Sequence, residues 1–195
     1  MRRLYKKGLT TTSGGNISLK ITDDIILISP SATDKGMMKW RDIGILTILG
    51  ENLTPDLKPS IESEMHLSLY RKMKDIQAVV HAHPVFASSF TAMKIRIRTD
   101  LTAEACAILG QPYVVPYELM GTEKLARAVS ESIVHSDILL LENHGILTTG
   151  ISLLQAFDKI EVLENAARMT VITELLNKKS PLNRGRIAEI HKHFR

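Results

Sequence analysis

The run Val79-Val80-His81-Ala82-His83-Pro84 constrains this chain more than any other stretch. An apolar segment with histidines at alternate positions is a β-pattern. On a strand both imidazoles project from one face, about 6.6–6.8 Å apart along the backbone. The stretch before it has a different period. Over residues 60–74, Ile61, Met65, Leu69 and Met73 recur every four residues, with Glu62, His66 and Tyr70 as the adjoining stripe. That is the spacing of a helix face. A helix running into a strand in this way points to layered α/β packing.

The remaining patterns fill in the layers. Residues 16–21 and 25–29 read as a hairpin turned at Asp23-Asp24, and 43–49 as a third strand, with a polar, turn-like stretch over 31–39 between them. Residues 76–83 carry the paired histidines, and Pro84 opens a short helix at its first position. Helices are expected over 102–109 and 122–134, and a strand over 113–116. A buried strand at 138–141 leads to Glu142-Asn143-His144-Gly145, and 146–148 continue the sheet. Ser152 caps a long helix to about residue 176, and a short basic helix follows. The fold class expected is an α/β arrangement, with a mixed or antiparallel central sheet covered by helices.

A chain of 195 residues fits one domain, taken as residues 1–195, with a single sizeable core. Cys106 is the lone cysteine, so no intrachain disulfide forms, which fits a reducing compartment. The basic start from Met1 to Lys7 is not followed by the apolar core of a signal peptide. No window approaches the roughly 18 apolar residues a membrane span needs. The expectation is a cytoplasmic protein without a membrane partner. The net charge of +4 sits mostly at the two ends, and aromatics are only 5%, too few for a basic stripe interleaved with stacking rings. A nucleic-acid partner is therefore not expected. Solvated termini account for the charge, and a mild positive field also favours small anionic substrates.

A single histidine on a strand is ordinarily a satisfied core or surface residue. The combination here says more: a His-x-His strand, a strand-end His144 before Gly145, and Glu62 on the helix leading into the same strand. Three neutral nitrogen donors with an open fourth position are the ligand set of a catalytic zinc rather than a structural one. Spacing alone leaves a metal site and a set of core histidines both open. Of the others, His66 is the best candidate for a supporting role, one turn from Glu62. His135, His191 and His193 read as structural or exposed. A second constellation is phosphate-like. Ser13-Gly14-Gly15-Asn16 offers main-chain N–H groups, Ser29-Pro30-Ser31 offers hydroxyls in a turn, and Ser60 stands where the Glu62 helix begins. Taken singly each is a turn or a cap. None matches a nucleotide-binding fingerprint.

At these residues the chain resembles the class II aldolase/adducin family, and in particular its fuculose-phosphate aldolase branch. The resemblance runs from about residue 11 to residue 176. It is carried by Ser13-Gly14-Gly15-Asn16-Ile17-Ser18, Ser29-Pro30-Ser31, Lys58-Pro59-Ser60-Ile61-Glu62, Val80-His81-Ala82-His83 and Asn143-His144-Gly145. It implies a three-layer α/β/α sandwich around a largely antiparallel sheet. It implies one Zn²⁺ per subunit, or another divalent transition metal, on His81, His83 and His144. Glu62 is then the catalytic acid/base, which also ligates the metal until substrate displaces it. Gly15, Asn16, Ser31 and Ser60 are implied to cradle the phosphate of a phosphorylated sugar. The implied reaction cleaves a ketose 1-phosphate to dihydroxyacetone phosphate and an aldehyde through a metal-stabilised enediolate, in a homotetramer. Epimerases, dehydratases and decarboxylases of sugar phosphates share the same metal site, and adducins keep the fold as non-catalytic interaction modules. A zinc hydrolase would leave the phosphate-like turns unexplained.

Four departures stand out. Ala32 replaces the glycine that usually follows the Ser-Pro-Ser turn, and Ile61 replaces a second phosphate-binding serine. The tyrosine proton donor of the aldolases has no counterpart; Thr102 stands at its place with Glu104 nearby. The start of the chain also leaves little room for the helix that usually precedes the glycine turn.

Overall fold

Seven short strands form one sheet in the computed structural model, which describes residues 1–194. They are β1 (Asn16–Lys20), β2 (Ile25–Ile28), β3 (Gly44–Thr47), β4 (Ala78–Ala82), β5 (Tyr113–Val115), β6 (Ile138–Leu141) and β7 (Gly145–Gly150), in the spatial order β3-β2-β1-β4-β7-β6-β5. Only the β5–β6 pair is parallel; the other pairs are antiparallel. β4 is central and fully buried because its two faces serve two cores. Ala78, Val80 and Ala82 join one, and Val79 joins the other on the side shared with His81.

Helices cover both faces. α2 (Ser63–Lys72) and α5 (Glu123–Ser132) bury Met65, Leu69, Leu125 and Val129 against Val79, Leu139 and Leu147. On the opposite face lie α1 (Arg2–Lys6), α3 (Val85–Thr91), α4 (Ala103–Leu109) and the long α6 (Leu153–Leu175), with Leu4, Phe90, Leu109, Ile160 and Leu163 buried. Burying a side chain of that kind contributes about 1.5–3 kcal/mol each. α7 (Arg184–Phe194) packs on α4. The result is the α/β/α sandwich with a mostly antiparallel sheet. Among the described residues no helix is long and apolar enough to cross a membrane.

The caps follow the expected chemistry. Thr102, Thr122 and Ser152 accept hydrogen bonds from Ala105 N, Leu125 N and Gln155 N at the starts of α4, α5 and α6. Other expectations need correction. The helix expected over 60–74 begins only at Ser63, and Ile61 is 57% exposed rather than part of the core stripe. Ser63 N–H and Oγ–H both donate to Ser60 O, closing a separate turn ahead of the helix. The adjoining stripe of Glu62, His66 and Tyr70, by contrast, needs no correction and is buried. Pro84 stands at the N-cap of α3, one position before that expected. The short α1 and a 3₁₀ turn at Trp40–Asp42 were not expected; buried Leu4 anchors the former.

Ala32 has φ +51°, a left-handed conformation that favours glycine. Such a backbone costs a non-glycine residue roughly 1–2 kcal/mol. Glycine also loses about 0.4–1 kcal/mol through the entropy of the unfolded chain. Ala32→Gly should therefore raise stability modestly, by up to about 1.6 kcal/mol on these terms, measurable as a higher denaturation midpoint.

Candidate metal centre

Three segments distant in sequence meet where β4 ends. His81 is the fourth residue of β4, and His83 lies just past its end. His144 sits in the two-strand turn between β6 and β7, where Asn143 takes φ +52°, a conformation asparagine tolerates well. Glu62 is the N-cap residue of α2. Antiparallel pairing of β4 with β7 brings the His144 turn alongside His83, with Ala82 opposite Ile146. Gly145 is needed for this approach. A Cβ there would clash with His83 Cδ2 and stand 2.9 Å from Ala82 O.

One ligand-capable nitrogen from each of His81, His83 and His144 lies within 4.8 Å of the others. His81 Nε2 and His83 Nε2 are 3.0 Å apart. Nitrogens on a tetrahedral zinc, at about 2.0–2.1 Å from the metal, are about 3.4 Å apart, so the spacing is close to that of a shared ion. His81 Nδ1–H donates to Ile146 O at 2.9 Å, which leaves Nε2 with its lone pair facing the cluster. Burial, then the neighbouring His83 and His144, hold His81 well below the usual imidazole range. Burial followed by His144 lowers His83, against the opposing pull of Glu62. Both are thus neutral donors, the form that binds a metal.

Glu62 completes the set. Its Oε2 is 3.4 Å from His81 Nε2 and its Oε1 is 3.3 Å from His144 Nε2. Oε1 is buried and has no hydrogen-bond partner among the described residues. Buried polar atoms are rarely left so. An orphaned carboxylate oxygen beside three converging imidazoles fits a divalent cation.

Oε2 is held differently. Asn16 Nδ2 donates to it at 2.7 Å, and Asn16 Oδ1 lies 2.5 Å from His66 Nε2. Asn16 Oδ1 and one hydrogen of its NH₂ group are engaged with those partners, and its main chain pairs with His81 across the sheet. His66 is indeed next to Glu62's support, at a pKa of about 3, lowered by burial and then by His81, with Glu62 opposing. Gly15, at φ +65°, passes so near β4 that a Cβ would lie 2.7 Å from His81 O. Ser31 N donates to Lys58 O and Ser31 Oγ accepts from Ile61 N, while Lys35 N donates to Thr12 O. The glycine turn, the Ser-Pro-Ser turn and the Ser60 turn therefore adjoin one another. Ser60 Oγ accepts from Glu62 N at 3.3 Å. Thr102 caps α4 and Glu104 is exposed on its first turn; neither has a hydrogen bond or ion pair to the histidines among the described contacts. Ser18 and Tyr70 joined no expected site, yet they contact this assembly. The polar stripe of Glu62, His66 and Tyr70 on a core-facing helix was the signal for Tyr70; for Ser18, on β1, the sequence carried none.

The sequence profile of the Class II Aldolase and Adducin N-terminal domain matches residues 1–171. An L-fuculose phosphate aldolase from Methanococcus vannielii is 35% identical, covering 90% of this chain and 93% of the relative. A 3-oxo-tetronate 4-phosphate decarboxylase from Haemophilus influenzae is 30% identical, covering 86% of this chain and 81% of the relative. Among solved structures, an L-fuculose 1-phosphate aldolase superposes with a TM-score of 0.89 at 28% identity, covering 99% of this chain and 91% of that one.

Proposed function

Since the chain belongs to the class II aldolase and adducin family, we propose that it is a zinc-dependent aldolase cleaving a ketose 1-phosphate to dihydroxyacetone phosphate and an aldehyde. The observation that carries this reading is Glu62: one carboxylate oxygen is held by Asn16, and the other is free beside three converging imidazoles.

His81, His83 and His144 would hold the metal, with Glu62 as a further ligand until substrate enters. A zinc ion bound there supplies Lewis-acid stabilisation of the negative charge that gathers on substrate oxygens as the carbon–carbon bond breaks. The protein's own groups do the rest. As the carbon–carbon bond breaks, Glu62 Oε1 delivers a proton to the substrate carbon and the hydroxyl that becomes the aldehyde gives one up, so the proton count balances. In the reverse direction Glu62 takes the carbon-bound proton, and in both proximity matters more than intrinsic basicity. The turns bearing Gly15, Asn16, Ser31 and Ser60 receive the phosphate through main-chain N–H groups and hydroxyls. That grip, remote from the reacting bond, holds the reacting atoms in line. We place the protein in the cytoplasm as a single catalytic domain over residues 1–195, and as a homotetramer.

Likeness to the decarboxylase supports a second reading. Loss of CO₂ from a keto-sugar-acid phosphate leaves a similar oxygen-centred charge at the same metal. Product analysis separates the two. Zinc-replete protein given a panel of ketose 1-phosphates should release dihydroxyacetone phosphate, detectable with a coupled reductase. No release from any of them, with CO₂ evolved from 3-oxo acid phosphates, would replace the aldolase by the decarboxylase.

A further inference from the structure

Behind Glu62 the core holds four polar side chains in a row. Tyr70 Oη lies 2.7 Å from Ser18 Oγ, which lies 2.7 Å from His66 Nδ1. His66 Nε2 is 2.5 Å from Asn16 Oδ1, and Asn16 Nδ2 is 2.7 Å from Glu62 Oε2. All five side chains are buried. The proposed reaction consumes none of the four, and apolar residues would fill the same space at lower desolvation cost. A buried network of this kind is costly when partly satisfied, and it specifies one geometry when complete.

This row has a single self-consistent direction. An ionised carboxylate only accepts, so Asn16 must turn its NH₂ group to Glu62. The amide oxygen then faces His66 and can only accept, which places the imidazole hydrogen on Nε2. His66 Nδ1 is left a bare acceptor, so the Ser18 hydroxyl donates to it, and the Tyr70 hydroxyl donates to Ser18 Oγ. Reversing one member would set two acceptors against each other at hydrogen-bonding distance.

We propose that Tyr70, Ser18, His66 and Asn16 form a one-way brace that keeps Glu62 Oε2 an acceptor and leaves Oε1 as the oxygen that exchanges the proton. The four are positioning residues, and the inference rests on the reading of Glu62 as the proton-handling group. The brace acts through Asn16, whose amide would be free to rotate once His66 no longer donates to it. Tyr70 and Ser18 act one step further away by fixing the His66 tautomer.

The decisive measurement is a long-range ¹H–¹⁵N correlation spectrum of the unmutated protein, recorded metal-free and zinc-loaded. His66 should carry its hydrogen on Nε2 in both. A hydrogen on Nδ1 overturns the brace, however active the enzyme. Activity gives the second readout. His66→Leu removes the donor and should lower kcat by about 10–100-fold with KM nearly unchanged. His66→Gln returns an amide donor near the Nε2 position and should restore most of that loss, together with the slowly exchanging Asn16 NH₂ signal. Equal kcat in the two variants, or Leu outperforming Gln, would reduce His66 to a space-filler and overturn the proposal. A protein with the Nε2 tautomer but no aldol cleavage fails the proposed reaction, not the brace.

Discussion

His83→Ala should leave the protein without its metal. Binding free energies at zinc sites of four ligands run about 10–16 kcal/mol, so one imidazole is worth roughly 3–4 kcal/mol, or about 10²–10³-fold in affinity. The two remaining histidines and Glu62 cannot replace the lost donor. Gly145 and Gly14 pack directly on the His83 ring, so nothing nearby offers a nitrogen in its place. Elemental analysis after gel filtration should find stoichiometric zinc in the unmutated protein and little in the variant. Metal binding also stabilises only the folded chain. A chelator should therefore lower the melting temperature of the unmutated protein and leave that of His83→Ala unmoved. Stoichiometric metal at undiminished affinity in the variant would refute the ligand assignment.

Glu62→Gln should separate metal binding from turnover. Glutamine matches glutamate in shape, and its amide oxygen can still accept from Asn16 Nδ2. The NH₂ group then occupies the place of Oε1, where it can no longer accept a proton. Positioned acid–base groups are worth about 10²–10⁴-fold in rate, so kcat should fall by about 3–5 kcal/mol of barrier while metal stays bound to the three imidazoles. The variant should also lose the exchange of a carbon-bound hydrogen of dihydroxyacetone phosphate with deuterated solvent. Full turnover would place the proton-handling group elsewhere. Loss of the metal would make Glu62 an indispensable ligand instead.

Much of the layered fold was legible because local physics dictates it. The alternation in β4, the four-residue stripe of α2 and the Ser152 cap all report interactions within a few residues. Errors came where a local pattern had two uses. Ile61 fitted the apolar stripe by spacing, yet the Ser60 turn carries it to the surface. Apart from such errors, the contact of the Asn16 amide with Glu62 went unread beside its place in an anion-binding turn. No local pattern reveals that contact, since the partners of Asn16 lie 46 and 50 residues away.

Residue order alone determined which groups exist and where each sits on its own element: two histidines on one strand face, one at a strand end, a carboxylate heading a helix. Short-range sterics and hydrogen bonding suffice for that. Tertiary structure decided what these groups meet. Pairing β4 with β1 and β7 brings Asn16 and the His144 turn to the same strand, and packing α2 on that sheet closes Glu62 over it. Contacts across some fifty residues depend on sheet register and helix docking. Those are settled by the burial of the whole core and not by any segment within it.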